Sequence, residues 1–540
     1  MTELLERIDR LNKIGIALSV ESDTQKLLEL IMMGAKSLTH ADGGSLYFVK
    51  DGTLTFEIIS NDSLDLQMGG TSGNKITFPP IPLIENGAEN HSNVVSHCVL
   101  TGNTINIEDA YYEDGFDFTG TRNFDRKTGY RTQSILTFPL KNHEKDIIGV
   151  LQLINARHVE SGETISFSPL DQQLAESLAS QAAVALTQRR LISELQVLFE
   201  SFIKMIAGAI DDKSPYTGGH CRRIPVLTMM LAEAVHREDS GPLKNFKITD
   251  KDRYELETAA WLHDCGKVVT PEYVMDKSTK LETIHDRIEI IELRIEVLLR
   301  DAEISYLKSR LEYDGSKKAL QDLSQEYETR CRQYRDALKA IQKANIGGEF
   351  MDDEDITQIT ELAARQWTDL EGQDKPLITA DELKNLTIRR GTLNDKERKI
   401  INYHVVATIK MLESLPFPKD LQNVPEYAGG HHEKMDGTGY PKGLRRDEMS
   451  VQARLMAIAD IYEALTASDR PYKKGKKLSE CIKIMGFMKK DNHIDPDIFD
   501  IFIKNKVYLE YAEKFLDPEQ IDDIDETAIP GYQVPARGPG

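Results

Sequence analysis

Two aspartates stand where a buried helix has no ordinary use for charge. Asp264 lies in Thr258-Ala-Ala-Trp-Leu-His-Asp-Cys-Gly-Lys-Val268, an apolar stretch of helical character, and Asp460 interrupts Leu455-Met-Ala-Ile-Ala-Asp-Ile461. A carboxylate in such a setting is costly unless a cation or metal offsets it, so the fold must bring positive charge to both. The chain has 13 histidines, and five sit in telling company. His263 directly precedes Asp264. His431 and His432 follow a Gly-Gly and open Glu433-Lys-Met-Asp-Gly-Thr-Gly-Tyr-Pro441, a glycine-rich loop able to hold backbone close to a ligand. His220 and His404 lie on candidate helices, His220 at the start of one after Pro215-Tyr-Thr-Gly-Gly219. Taken singly, each histidine reads as a hydrogen-bonded core residue. Together with two aspartates in apolar helices, they read as ligands.

A His-Asp dipeptide alone carries little weight. His285-Asp286 also occurs, beside an isoleucine seam in a charged helix, and reads as a solvated face. His263-Asp264 differs because its surroundings are apolar and Lys267 follows four residues after the histidine, which predicts one helical face. Imidazole and carboxylate ligands without thiolate suit iron, manganese or zinc. Two such ions sharing a carboxylate lower the pKa of a bound water and clamp both oxygens of an in-line displacement at phosphorus. Lys267 is then placed to neutralise charge building on phosphoryl oxygens.

The rest of the 540 residues frames this cluster. Residues 1–185 read as mixed α/β, with hairpins predicted from Ser45–Val49 with Leu54–Ile59 and from Ser134–Leu140 with Ile147–Ile154. Leu191, Leu195, Leu198, Phe202 and Met205 step by 4, 3, 4 and 3, which fits a coiled-coil seam over 186–206 and equally a core-facing amphipathic helix. Residues 207–515 hold the histidines discussed above, interrupted at about 285–390 by a charged helical segment in which Ile284, Ile288, Ile291, Ile295 and Leu298 predict a projecting helical hairpin. Residues 516–540 form a tail, expected to be disordered from Ile529. The formal charge of −21, from 67 Lys and Arg against 88 Asp and Glu, argues against binding a nucleic-acid polymer. The longest apolar run, around Ile147–Ile154, is too short to span a bilayer. Five scattered cysteines without CxxC spacing suit a reducing compartment. A cytoplasmic protein is expected.

His263-Asp264 with Lys267, and His431 through Pro441, resemble the two signatures of the HD-GYP family, an all-helical branch of the HD phosphohydrolases whose members hydrolyse the bacterial messenger cyclic di-GMP. The resemblance implies a metal set of His220, His263, Asp264, His404, His431, His432 and Asp460, with Asp264 as the bridging carboxylate and two divalent ions, iron or manganese. It also implies catalytic roles for Asp264 and Lys267. Arg470 and Lys473 resemble the family's phosphate-holding pair, while Gly439, Tyr440 and Pro441 shape the guanine side of the site. Three departures stand out. The interval from Asp264 to His404 is long, and the helical segment explains it; Gly391-Thr-Leu-Asn-Asp-Lys-Glu-Arg-Lys-Ile-Ile-Asn-Tyr-His404 resembles the segment that supplies the third histidine, so His404 is preferred to His285. Tyr216 stands where some members carry a Glu that supports a third metal, so two ions are expected. Ala464-Leu-Thr-Ala-Ser-Asp469 is one residue longer than the shortest form of that motif.

The first 185 residues resemble a GAF sensor domain through Asn123-Phe124-Asp125, Thr128-Gly-Tyr-Arg-Thr132 and Asp146-Ile-Ile-Gly-Val-Leu-Gln-Leu-Ile-Asn155. That resemblance implies either a small cyclic-nucleotide ligand near Asn123, Phe124 and Asp125, or a dimerising module with another ligand or none. The expected architecture is therefore an α/β domain of antiparallel sheet and flanking helices, a connecting helix, and an all-α domain with a helical insertion. The expected activity is hydrolysis of cyclic di-GMP to linear pGpG, and onward to GMP where the reaction continues, in a homodimer regulated by the first domain. A silent cyclic di-GMP receptor and a phosphohydrolase of another cyclic dinucleotide are the alternatives.

Overall fold

The computed structural model describes residues 2–214, 219–312, 315, 317–348, 350–468 and 475–534. The chain divides into two compact units, 1–199 and 200–540. In the first, alternating apolar residues build an antiparallel sheet with β1 Ala41–Lys50, β2 Thr53–Asn61, β3 Leu66–Gly69, β4 Ile105–Ile107, β5 Ile135–Lys141 and β6 Ile147–Arg157, in the order β3-β2-β1-β6-β5-β4. Both predicted hairpins form: Leu46 faces Ile58 across β1 and β2, and Leu136 faces Leu153 across β5 and β6. The two-residue period sends successive side chains to opposite faces. Leu46, Ile58, Leu151 and Leu153 pack with helix Thr24–Thr39 and the start of helix Pro169–Lys213, whereas Tyr47, Leu54 and Val150 pack with Val95 and Cys98 of helix Val94–Thr101.

The second unit is helical. Helices His220–His236, Asp250–Leu262, Asp395–Glu413, Val424–Gly429 and Val451–Thr466 surround the predicted ligands, and Leu478–Lys490, Pro496–Lys504 and Val507–Phe515 complete the unit. The insertion folds around its own core. Ile291, Ile295, Leu298 and Ala302 on helix Ile288–Leu311 meet Tyr334, Ala337 and Ile341 on helix Lys317–Asn345, and the Tyr306 and Tyr327 rings stack at 4.9 Å. Ile284 departs from the predicted seam: it precedes the helix and is 97% exposed. At the base, the buried Lys277 ammonium lies 2.8 and 2.9 Å from the Glu397 carboxylate, in the first turn of the helix that carries His404.

The tail also departs from expectation. Ile529 and Tyr532 are buried, so the chain is docked as far as Tyr532, whereas Gln533 and Val534 are exposed; apolar side chains that gain burial hold this proline- and glycine-containing segment in place. Residues 535–540 lie outside the described residues. Among the described residues, no helix is long and apolar enough to cross a membrane.

Candidate metal centre

Five separate segments deliver the predicted ligands to one place. His220 opens its helix, His263 caps the end of helix Asp250–Leu262, and Asp264 enters the tight turn Cys265–Val269. His404 sits within helix Asp395–Glu413, whose start is fixed by a reciprocal cap between Asn394 and Glu397. His431 and His432 follow helix Val424–Gly429, and Asp460 lies in helix Val451–Thr466. The predicted continuous helical face for His263 and Lys267 does not form. The α-helix ends at Leu262 and tightens to a three-residue repeat, so Lys267 meets Asp264, three residues away, at 2.5 Å. Gly266 permits this turn: a β-carbon there would stand 2.0 Å from the His404 carbonyl oxygen and 2.5 Å from the Thr408 nitrogen.

Asp264 has one oxygen on each side of the cluster. Oδ2 lies 3.3 Å from His220 Nε2, 3.2 Å from His263 Nε2 and 2.5 Å from Lys267 Nζ; Oδ1 lies 3.3 Å from His404 Nε2. Asp460 Oδ1 is 3.4 Å from His220 Nε2 and 4.0 Å from His263 Nε2. Two groups result, each with ligand atoms within 4.8 Å of one another: His220, His263 and Asp264, and His404, His431 and His432. They adjoin, since the His263 and His431 rings are 5.0 Å apart.

The histidines are oriented by what their outer nitrogens bind. Nδ1 of His263, His404 and His431 contacts the carbonyl oxygen three residues earlier, of Ala260 (2.8 Å), Ile401 (2.5 Å) and Ala428 (2.6 Å). A carbonyl only accepts, so Nδ1 donates and the neutral ring keeps its lone pair on Nε2, facing inward. His220 is held in the same sense by Glu463, which contacts its Nδ1 and takes Arg223 Nε at 2.7 Å on its other oxygen. Sequence reasoning missed Glu463. The signal was present, because Glu463 is a second carboxylate in the same apolar helix, one turn beyond Asp460.

These atoms fit metal ions. Among the described residues, Asp264 Oδ1, His404 Nε2 and His431 Nε2 are buried without a hydrogen-bond partner. Ligands about 2.1 Å from a common ion lie roughly 3.0–3.4 Å from one another in octahedral or tetrahedral geometry, which is the spacing of the His220, His263 and Asp264 atoms. Electrostatics agree. Burial, with the His432 and His263 rings, holds His431 well below its usual range, and burial pushes His432 down to about 4. Both rings are thus neutral, the state in which imidazole binds a metal. Burial opposes charge on Asp264, yet Lys267 and His263 hold its carboxyl well below the usual range. Burial likewise disfavours charge on His220, but Glu463, Asp264 and Asp460 outweigh it and raise its pKa well above the ordinary value. The carboxylates that favour a proton there favour any cation.

The glycine-rich loop shapes one side. Tyr440 stacks on His432, with ring centroids 4.9 Å apart. A β-carbon on Gly439 would meet the Lys434 nitrogen at 2.4 Å and Glu433 Cα at 2.5 Å, so the loop closes only with glycine there. Buried Glu433 accepts from the amides of Lys442 (2.7 Å) and Leu444 (2.9 Å), and Pro441 lies half-buried beside them. Arg470 and Lys473, like Tyr216, lie outside the described residues.

Residues 379–498 match the HD domain and residues 23–186 match the GAF domain. The chain joins a GAF domain to an HD domain. The matched HD segment supplies His404, His431, His432 and Asp460, while His220, His263 and Asp264 reach the same centre from before the insertion. A Pseudomonas aeruginosa protein named cyclic di-GMP phosphodiesterase is 40% identical over 114 residues, 21% of this chain and 26% of its own. A Vibrio cholerae protein named 3'3'-cGAMP-specific phosphodiesterase 1 is 36% identical over 115 residues, 21% of this chain and 26% of its own. A Thermotoga maritima protein named cyclic di-GMP phosphodiesterase is 31% identical over 119 residues, 22% of this chain and 32% of its own. The chain thus spans about a quarter to a third of the length of these relatives. The solved GAF domain of a Coxiella burnetii phosphoenolpyruvate-protein phosphotransferase aligns at 13% identity and a TM-score of 0.28, over 35% of this chain and 98% of that one.

In the GAF domain the three predicted ligand residues have different surroundings. Asn123 is exposed and Phe124 half-buried, its ring 6.3 Å from Phe78. Asp125 is buried and accepts from Tyr111 Oη (2.9 Å), the Thr132 amide (2.8 Å) and Thr132 Oγ1 (2.9 Å), bonds that tie helix Thr119–Thr128 to the segment entering β5.

Proposed function

We propose that the chain is a GAF-regulated, metal-dependent phosphodiesterase of the HD-GYP type that opens cyclic di-GMP to linear pGpG. One observation carries this reading: Asp264 turns one carboxylate oxygen toward each of two adjoining ligand groups, with Lys267 on the same carboxylate. Two divalent ions there, iron or manganese, supply an activated water and charge neutralisation at phosphorus. His220, His263, Asp264 and Asp460 would hold one and His404, His431 and His432 the other, Asp264 turning an oxygen toward each group. Lys267, whose ammonium stays protonated beside Asp264 despite burial, stabilises the charge that grows on the phosphoryl oxygens. Tyr440, stacked on His432, offers a flat face for a base, and Arg470 and Lys473 are the proposed holders of ligand phosphate. Five free, buried cysteines and the identity of the messenger support a cytoplasmic setting.

A homodimer belongs to the same reading. Leu191, Leu195, Leu198, Phe202 and Met205 are all exposed on helix Pro169–Lys213, which supports a seam for the same helix of a second copy and weighs against a core-facing stripe. A small ligand of the GAF domain near Asn123, Phe124 and Asp125 is the proposed input.

Purified protein loaded anaerobically with manganese or ferrous iron is expected to consume cyclic di-GMP, and His263→Ala or Asp264→Ala to abolish turnover. Full rate in either variant defeats the proposal, and tight binding without hydrolysis under both metals makes the protein a receptor. Vibrio cholerae relatives named for 3'3'-cGAMP, at 36% and 38% identity, favour one second reading, a mixed cyclic dinucleotide as substrate. Competition between the two dinucleotides decides between them.

A further inference from the structure

We propose that Lys213 is a positioning residue for this reaction, holding from outside the turn that carries Lys267; the inference rests on the catalytic reading above. Lys213 is the last residue of helix Pro169–Lys213. Its ammonium donates to the carbonyl oxygens of Lys267 (3.2 Å), Val268 (2.6 Å) and Thr270 (2.6 Å). An ammonium has three N–H donors, so this side chain commits all of them to one turn. A cation at the carbonyl end of a helical turn is also favoured by the aligned peptide dipoles.

Among the described residues, two side chains anchor the turn Cys265–Val269, Thr408 on its inner half and Lys213 on its outer half. On the inner side the Gly266 amide donates to Thr408 Oγ1 at 2.9 Å, and that hydroxyl donates to the His263 carbonyl at 3.2 Å. On the outer side Val268 and Val269 are 50% and 54% exposed, so packing holds them weakly. Lys213 supplies what packing does not. Lys267 lies between the two anchors, and its Nζ must keep to Asp264 Oδ2 and to the phosphoryl group at once.

A second observation bears on why this anchor sits on this helix. Helix Pro169–Lys213 also meets helix Asp250–Leu262 across a cavity of ≈60 Å³ lined by Glu200, Lys204, Tyr254, Glu257 and Trp261. Among the described residues, the Tyr254 hydroxyl and Trp261 Nε1 are buried there without a hydrogen-bond partner. A buried donor left unsatisfied forfeits the hydrogen bond it made to water, so a small displacement of the helix that brings Glu200 to either donor recovers energy. Such a displacement carries Lys213 with it, and the turn follows.

The test uses the full chain loaded with manganese. Lys213→Met is expected to lower kcat about 10- to 100-fold, the scale of an ångström-level misplacement, with KM and ion content within about twofold of wild type. Lys213→Arg, which keeps the charge and several donors, is expected to recover most of that loss. Without substrate, amide exchange at Val268–Thr270 is expected to quicken roughly tenfold in the Met variant as the outer anchor goes. Wild-type kcat in folded Lys213→Met overturns the proposal, as does a loss that tracks metal content or the melting transition, since that is a merely structural role. Wild-type protein that hydrolyses no cyclic dinucleotide defeats the catalytic reading; unchanged exchange at Val268–Thr270 defeats the role of Lys213.

Discussion

Glu463→Gln tests the architecture of the centre with almost no change of shape. Glu463 is 1% exposed and divides its oxygens between two donors, His220 Nδ1 on one and the Arg223 guanidinium on the other. Glutamine has a single acceptor oxygen. The charged guanidinium is the stronger donor and keeps it, leaving the amide NH2 to donate to His220 Nδ1. That contact moves the imidazole proton to Nε2, the atom that faces Asp264 and Asp460. A protonated Nε2 cannot ligate, so one ion loses a ligand or must displace the proton. Outer partners of this kind are worth about 10- to 100-fold in metal affinity, or about 1.4–2.7 kcal/mol. The loss falls on one ion, because His404 and His431 orient their nitrogens through other partners and His432 does not touch Glu463. Anaerobic titration with manganese, followed by metal analysis after gel filtration, is expected to show two tight sites in wild type and one tight plus one weakened site in the variant. Two sites of unchanged affinity refute the orienting role of Glu463 and the tautomer argument on which the other histidines depend.

Three further outcomes follow from the same geometry. His432→Ala should weaken the other ion and spare the one held by His220 and His263, so ion content falls by about one; simultaneous loss of both would mean the groups do not act as separate poles. Gly266→Ala forces a β-carbon against the backbone of the His404 helix, and a clash that must be relieved by backbone movement costs roughly 1–3 kcal/mol or more, read as a lower unfolding midpoint together with lost metal. Lys280 is 3% exposed, and burial pushes its ammonium down to about 8. Between pH 8 and its ordinary value near 10.5 the unfolded chain therefore binds more protons, and stability rises with pH. Urea unfolding should show Lys280→Met at its greatest advantage over wild type below about pH 8, shrinking toward pH 10; an advantage independent of pH would exclude a buried ammonium.

The parts that could be read early were local ones. The hairpins of the first domain followed from alternation with a turn between apolar runs, because a strand's faces are fixed by a two-residue period. The hairpin of the insertion followed from isoleucines at three- and four-residue steps, although Ile284 fell outside it, since nothing in a periodic pattern marks where a helix begins. The end of the α-helix at Leu262 was misread for a related reason. The apolar character of residues 258–268 continues through the turn, and the tighter winding accompanies the close approach of Gly266 to the backbone of the His404 helix, a contact between remote segments. Residues 529–532 show the opposite error: their composition suggests disorder, and burial of Ile529 and Tyr532 holds them in place.

Sequence alone determined which side chains were out of place, because charge inside an apolar helix is costly in any fold and must be answered by something. It therefore marked Asp264, Asp460 and the histidines before any arrangement was known. It could not say which oxygen of Asp264 faces which histidine, that four rings have their outer nitrogens fixed so that the inner ones face the centre, or that Glu463 and Lys213 take part. Those facts depend on contacts between residues up to about 240 positions apart, such as His220 with Glu463. A chain can advertise an unpaid electrostatic demand locally, but only packing in three dimensions chooses the partner, since distance and direction between remote segments are properties of the folded state.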